Sequence, residues 1–312
     1  MKIESQKINI LVTGAGGFVG RKVVPMLLSE GHSVKAVTTS KLGFSGVDML
    51  RVSRLDSVTE DHFKGIDAVV HLAAIAHTRK ANHKSQYREV NYLLPKRFAS
   101  FARDAGCRKF VFISTAKVHG AKTELPIDSD APYNPTDDYS FYKVKAEEAL
   151  LELNSTMEAI VLRPPVVYGP EPKANIKTML RIASTNKPMI LSNSDNLRSF
   201  ISIDNLCSCI SSALANHNSV SSGGYLVHDG QSIALSDFFN LLVNATQSTS
   251  KKIFVPEKAI KALDRCLFTL RGSRYLEPLY SEFAIDCGKF EREFFWRPVE
   301  TTKAGVDKMC KG

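Results

Sequence analysis

The stretch Ile8-Asn9-Ile10-Leu11-Val12-Thr13-Gly14-Ala15-Gly16-Gly17-Phe18-Val19-Gly20 decides the fold. It opens as an apolar run of strand length, passes through a glycine-rich turn, and continues from Val19 to Ser29 with helical period. A strand that turns on glycines into a helix presents backbone amides and a positive helix end to an anion. The missing side chains let a pyrophosphate come close. The spacing is Gly14-x-x-Gly17-x-x-Gly20; the commoner Gly-x-Gly-x-x-Gly frame from Gly14 would need glycine where Val19 stands. Gly14, Gly17, Phe18, Val19 and Gly20 are therefore the candidate phosphate-binding residues.

Outward from this stretch, strand-length apolar runs alternate with helical segments. Ile8 to Val12, Val34 to Thr38, Ala68 to Ala73, Lys109 to Ser114 and Ala159 to Arg163 read as strands. Tyr87 to Ala105 and Tyr139 to Leu153 read as helices. Such alternation predicts an α/β chain: a Rossmann-type doubly wound parallel sheet spanning residues 1–163 and binding NAD(P). After Arg163, four prolines (Pro164, Pro165, Pro170, Pro172) interrupt regular structure, and residues 164–312 are expected to form a smaller substrate-binding lobe. A segment near 200–215 is expected to return to the first domain, its helix capped by Asp204 and Asn205.

The second expected strand ends Val37-Thr38-Thr39-Ser40-Lys41, without the acid that usually holds the ribose hydroxyls of NAD. Thr38, Thr39 and Lys41 suit a 2′-phosphate, so NADP(H) is favoured and NAD(H) is the alternative.

The second decisive stretch is Tyr139-Ser140-Phe141-Tyr142-Lys143. Hydride transfer at a carbinol carbon needs a group that takes or gives the hydroxyl proton. A lysine four residues after a tyrosine lies one turn away on the same helical face, where its charge favours phenolate. Tyr142 has no such lysine.

With these pieces the chain resembles an extended short-chain dehydrogenase/reductase acting on nucleotide sugars. The resemblance also rests on His71-Leu72-Ala73-Ala74, Asn91, Ser114-Thr115, Ala146-Glu147, Arg163-Pro164, Tyr168-Gly169-Pro170 and Phe295-Trp296-Arg297-Pro298. It implies Tyr139 as acid/base, Lys143 as its tuner and a ribose ligand, and Thr115 as a donor to the substrate oxygen. Leu72, Ala73, Ala74, Asn91 and Pro164 would line the cofactor. Lys117, Asn175 and Arg198 would meet the sugar nucleotide, with Arg271 or Arg274 as a second arginine. Dehydratases of this family follow the threonine with an acid, whereas Ala116-Lys117 follow it here, which disfavours dehydration. The expected reaction is reduction of a UDP-4-keto-6-deoxy-N-acetylhexosamine; the alternative is a UDP-sugar 4-epimerase with tightly held NAD. His119 departs from the family's usual tyrosine. A non-catalytic nucleotide-binding protein would typically have lost Tyr139 or Lys143.

Composition is ordinary for a globular chain of 312 residues, with 44% hydrophobic and 23% charged residues. The N-terminus is polar, no apolar run approaches the ~20 residues of a membrane span, and the six cysteines are scattered. A cytoplasmic protein with reduced thiols is expected. The formal charge is +9, with Lys and Arg spread along the chain rather than gathered in a stripe. That argues against nucleic acid and suits an anionic UDP-sugar, with at most peripheral membrane association. The resemblance further implies a homodimer packed through the helices at 87–105 and 139–153.

Overall fold

In the computed structural model, which describes residues 7–76, 83–123, 125–153, 157–192, 196–215, 222–271 and 281–311, the apolar runs become a central sheet. In chain order the first elements are β1 (Asn9–Thr13), α1 (Gly20–Ser29), β2 (Ser33–Thr38), β3 (Asp48–Arg51), β4 (Ala68–His71) and α2 (His83–Arg88). A π-helical turn (Glu89–Leu93), α3 (Leu94–Asp104), β5 (Lys109–Ile113), α4 (Asp138–Glu152) and β6 (Glu158–Arg163) follow. Next come β7 (Val166–Tyr168), α5 (Ala174–Ser184), β8 (Met189–Ser192), β9 (Leu197–Arg198), β10 (Phe200–Ser202), α6 (Ile203–Leu214) and β11 (Gly223–Leu226). The last are β12 (Ile233–Ala234), α7 (Leu235–Ala245), β13 (Lys252–Val255), α8 (Glu257–Arg271), α9 (Gly288–Glu293) and α10 (Thr302–Lys311).

Seven parallel strands run in the order β11-β6-β5-β4-β1-β2-β3. Both faces are covered, so the central strands are apolar on both sides. Ile10, Val12, Val70 and Val111 join the core under α1 and α6, whereas Leu11, Val69, Phe110 and Phe112 join the core under α3 and α4. The strand order reverses beside β1, which pairs with β2 on one side and β4 on the other. At such a switch point the strand ends open a crevice, and that is where the glycine turn lies.

Three findings depart from the sequence expectation. The helix expected over Tyr87 to Ala105 is divided by the π-helical turn. Pro95 has no N–H to give the carbonyl four residues back, and Leu94 N instead bonds Glu89 O, five back. The short, polar β3 and the glycine-bearing β11 were not expected as strands, and β11 carries the sheet beyond Arg163 by pairing with β6. In the return segment, α6 packs on α1, whereas β10 pairs with β7 in a separate two-stranded sheet. Ser202, not Asp204 or Asn205, caps α6 by accepting from Asn205 N at 3.0 Å. Asp204 instead pairs with Lys22 and Lys308, and the Asn205 amide donates to Asp229 and the Glu300 carbonyl.

The second lobe gathers α5, α7, α10 and the small sheets around its own core, in which Phe200 stacks on Phe238 at 4.1 Å. Among the described residues no helix is long and apolar enough to cross a membrane.

Candidate active site

The glycine turn is built by close approach. Gly14 adopts φ +71°, and a Cβ there would stand 2.8 Å from Ala73 N. Only glycine allows both that backbone and that contact. A Cβ on Gly20 would lie 2.5 Å from the carbonyls of Gly14 and Ala15, which packs the start of α1 against the turn. Gly16, which the sequence argument passed over, faces the hydroxyls of Thr38 and Ser40. Its reading needed the register of β1 against β2.

A cavity of about 730 Å³ opens beside this turn, lined by Gly14, Gly16, Gly17, Thr38, Thr39, Ser40, Leu72, Ala73 and Ala74, and by Arg54, Leu55, Asp56 and Arg97. The last four come from the segment after β3 and from α3, and local sequence did not reveal them. Thr38 is buried, and its Oγ1 accepts from Ser40 N at 3.0 Å. The Asp56 carboxylate is held by a two-pronged bond from Arg54. Arg97 Nε and Nη2 are buried without a hydrogen-bond partner, and the guanidinium lies 5.7 Å from the Phe98 ring centre. Lys41 is exposed and lies outside the lining. Phe18 and Val19 pack against the core under α1 instead of lining the cavity. Asn91 is also absent from the lining; its side chain accepts from Ile75 N at 2.9 Å and donates to Ile75 O at 2.8 Å, fixing the cavity's edge. The Gly14 and Gly16 positions, which a Cβ would fill, and the cavity at the ends of β1, β2 and β4 fit a dinucleotide cofactor.

The proton-transfer residues converge past the ends of β5 and β6. A capping box between Asp137 and Ser140 starts α4 and sets Tyr139 in its first turn. One turn on, Lys143 is fully buried, donates to Ile113 O at 2.7 Å and sits 4.3 Å over the Phe112 ring. Thr115 follows β5; its Oγ1 accepts from Lys117 N at 3.3 Å, and its hydroxyl faces the Tyr139 phenol. Burial pushes the Tyr139 phenol up, Asp137 and Tyr87 add to this, and the Thr115 hydroxyl lowers it. Burial pushes the Lys143 ammonium down to about 7, against the charge of Glu147. Pro164 is buried between these elements, its carbonyl accepting from Ala116 N at 2.8 Å.

Behind them lies a polar network not foreseen from the sequence. Glu147 Oε2 accepts from Arg163 Nε at 2.9 Å, Arg163 Nη2 at 2.7 Å and the Tyr133 hydroxyl at 2.8 Å. Ser114 donates to the other oxygen. His119 Nε2 lies 3.2 Å from Arg163 Nη1 and its Nδ1 3.1 Å from Pro132 O. Arginine can only donate, so Nε2 accepts and Nδ1 carries the proton. His119 is thus held neutral.

Of the residues proposed for substrate, Lys117 pairs with Asp137 at 3.7 Å, beside Tyr139. Arg198 is buried and donates to Ser281 O at 2.7 Å, while Asn175 is exposed near the start of α5. Arg274 lies outside the described residues, and Arg271 ends α8.

A doubly wound sheet, a dinucleotide crevice at its switch point and a tyrosine-lysine pair beside a threonine define a nicotinamide-dependent oxidoreductase fold. Residues 10–227 match the family model described as the NAD dependent epimerase/dehydratase family, and the chain belongs to that family. It is 30% identical to a UDP-glucose 4-epimerase of Vibrio cholerae, over 97% of this chain and 94% of that protein. It is 25% identical, over 78% of this chain and 73% of the other, to an N-acetyl-alpha-D-glucosaminyl-diphospho-ditrans,octacis-undecaprenol 4-epimerase of Escherichia coli O157:H7. Its fold is that of a Bacillus cereus UDP-glucuronic acid 4-epimerase solved with NAD, at TM-score 0.80 and 19% identity, covering 97% of this chain and 96% of the other.

Proposed function

We propose that the protein transfers a hydride at C4 of a UDP-linked sugar. The observation that carries this is the Thr115 hydroxyl facing the Tyr139 phenol, with the buried Lys143 one helical turn on, past the ends of β5 and β6. When bound, the nicotinamide gives or accepts the hydride. Tyr139 Oη passes a proton to the C4 oxygen in reduction and takes one back in oxidation. Lys143, with its proton finely balanced near neutral pH, favours the phenolate form of its neighbour. Thr115 orients the sugar oxygen, and Lys117, Asn175, Arg198 and Arg274 are the proposed contacts to the nucleotide sugar.

Within that chemistry we favour reduction of a UDP-4-keto-6-deoxy-N-acetylhexosamine. The end of β2 offers the Thr38 hydroxyl where a ribose-binding carboxylate would serve NAD, and Asp56 in the same cavity is engaged by Arg54. Both support an exchangeable NADP(H). A 4-epimerase retaining NAD is the second reading, supported by the Vibrio cholerae relative. Elimination of water lacks an acid after Thr115, since Ala116 is apolar and Lys117 is a cation.

The test is to denature freshly purified protein and identify the nucleotide released. Near-stoichiometric NAD would select the epimerase. An empty site that binds NADPH, and oxidises it when given a UDP-4-keto-6-deoxy sugar, would select the reductase. We also propose a homodimer through α2, α3 and α4, which pack together within the subunit; light scattering would return a monomer mass if this is wrong.

A further inference from the structure

The charged side chains lining the cavity beside the glycine turn are Arg54, Asp56, Glu89 and Arg97. Glu89 accepts from Arg88 Nη1 at 3.2 Å, and Asp56 accepts from Arg54 Nε at 3.0 Å and Nη2 at 2.7 Å. Arg97 differs, because its Nε and Nη2 are buried and bond nothing. Its guanidinium lies 5.7 Å from the Phe98 ring centre and 6.0 Å from that of Phe101. An uncharged side chain would pack there without leaving N–H groups unmet, so packing alone does not account for an arginine. Arginine donates but cannot accept, and its charge is permanent.

The fold brings these groups to the end of β2. Thr38 pairs in register with Arg51 of β3, and Val52 N donates to Thr38 O at 3.0 Å. The segment carrying Arg54 therefore leaves β3 alongside the end of β2. The Thr38 and Ser40 hydroxyls lie 3.0 Å apart, and a Cβ on Gly16 would meet both. Asp56 links the two arginines: the Arg54 bond holds its carboxyl below the usual range, and the Arg97 charge acts the same way. Both carboxylates in the lining are engaged, so neither is free to accept from a ribose hydroxyl, whereas a guanidinium charge is in excess. The amides of the glycine turn suit the pyrophosphate, which leaves that charge for a further anion. Lys41, the cation nearest in sequence, is exposed and outside the lining.

We propose that Arg97 and Arg54, and not Lys41, hold the 2′-phosphate of NADP(H) and so set the cofactor preference; this rests on the NADP(H) reading above. An arginine fork matches two phosphate oxygens, and the Thr38 and Ser40 hydroxyls are further donors in the same cavity. Arg54 keeps Nη1 for the ligand, since its bonds to Asp56 use Nε and Nη2. The phosphate supplies the bonded counter-charge that Arg97 lacks.

The test is isothermal titration of the full chain with adenosine 2′,5′-bisphosphate and with 5′-AMP, which differ by the 2′-phosphate alone. The parent should bind the bisphosphate more tightly, by a ratio that narrows as salt rises. Arg97→Met keeps an apolar stem against Phe98 and Phe101, and should cut that ratio roughly tenfold or more, the value of one charged hydrogen bond. Arg54→Gln should cut it as well, Arg97→Lys should restore part of it, and Lys41→Gln should leave it at the parent value. Affinity for 5′-AMP should be unchanged throughout. Arg54 is exposed, so its variant stays informative if Arg97→Met does not fold. A ratio that survives both Arg97→Met and Arg54→Gln would overturn the assignment and leave the NADP(H) reading standing. Equal loss of the two ligands would also overturn it, making Arg97 a contact to adenine or a support of the fold. A ratio lost in Lys41→Gln would overturn it in favour of that lysine. A parent that does not prefer the bisphosphate would refute the NADP(H) reading itself, and the phosphate site with it.

Discussion

Replacing Glu147 by alanine should destabilise the protein through Arg163, whose guanidinium would then be buried with no counter-charge. Glu147 takes three bonds on Oε2, two of them from Arg163, and a fourth on Oε1 from Ser114. Both members of the pair are buried. Burial opposes the charge on Arg163, and the charge and hydrogen bonds of Glu147 more than restore it. Breaking a buried pair by removing one partner costs about 3–5 kcal/mol. In a chain of this size each kcal/mol moves the melting temperature by roughly 1.5 °C, so a fall of roughly 5–8 °C is expected. Differential scanning calorimetry would measure it. The double variant Glu147→Leu with Arg163→Met removes both charges and should recover part of the loss. Recovery would be incomplete because the Ser114 and Tyr133 hydroxyls lose their acceptor. A second readout concerns Lys143, which Glu147 holds up against burial. Glu147→Gln should move the alkaline limb of the kcat/KM profile to lower pH. A Glu147→Ala protein melting within about 1.5 °C of the parent would refute the argument (by order of magnitude, less than ~1 kcal/mol).

Tyr139→Phe should lower kcat by roughly 10²–10⁴-fold while NADPH still binds, and Lys143→Met should weaken both; near-normal turnover of the phenylalanine variant would remove the acid/base assignment. Thr38→Asp should shift the affinity ratio from NADPH towards NADH by roughly tenfold or more, from one charged hydrogen bond to the ribose; titration with each cofactor would show it. Gly14→Ala, with φ +71° and its Cβ 2.8 Å from Ala73 N, should abolish dinucleotide binding measured by fluorescence, since neither neighbour is a flexible side chain that can yield. Burial pushes His71 down to about 3 and also lowers His119 and His228, so all three are neutral in the fold. Below an unfolded pKa of about 6.5 the unfolded chain binds these protons and the folded chain does not. Stability present above that pH is therefore lost as pH falls towards each folded value, with His71 alone giving a slope that reaches about 1.4 kcal/mol per pH unit. A urea midpoint unchanged between pH 7.5 and 5.5 would contradict this.

By themselves, consecutive residues determined the β1–turn–helix unit, the alternation that becomes a parallel sheet, and the placement of Tyr139 and Lys143 on one face of α4. Strand and helix periods, glycine spacing and a four-residue offset are local properties, so one-dimensional order suffices to express them. Tertiary structure alone decided that Thr115 would face Tyr139, that Arg163 would meet Glu147 and His119, and that β11 would extend the sheet beyond Arg163. It also decided that Asn91 would brace Ile75 instead of facing the cavity, and that β13 would pair with β8. Each of these joins residues far apart in the chain or turns a side chain to a particular side. Strand order and register set such contacts, and neither is encoded in any single stretch of neighbours.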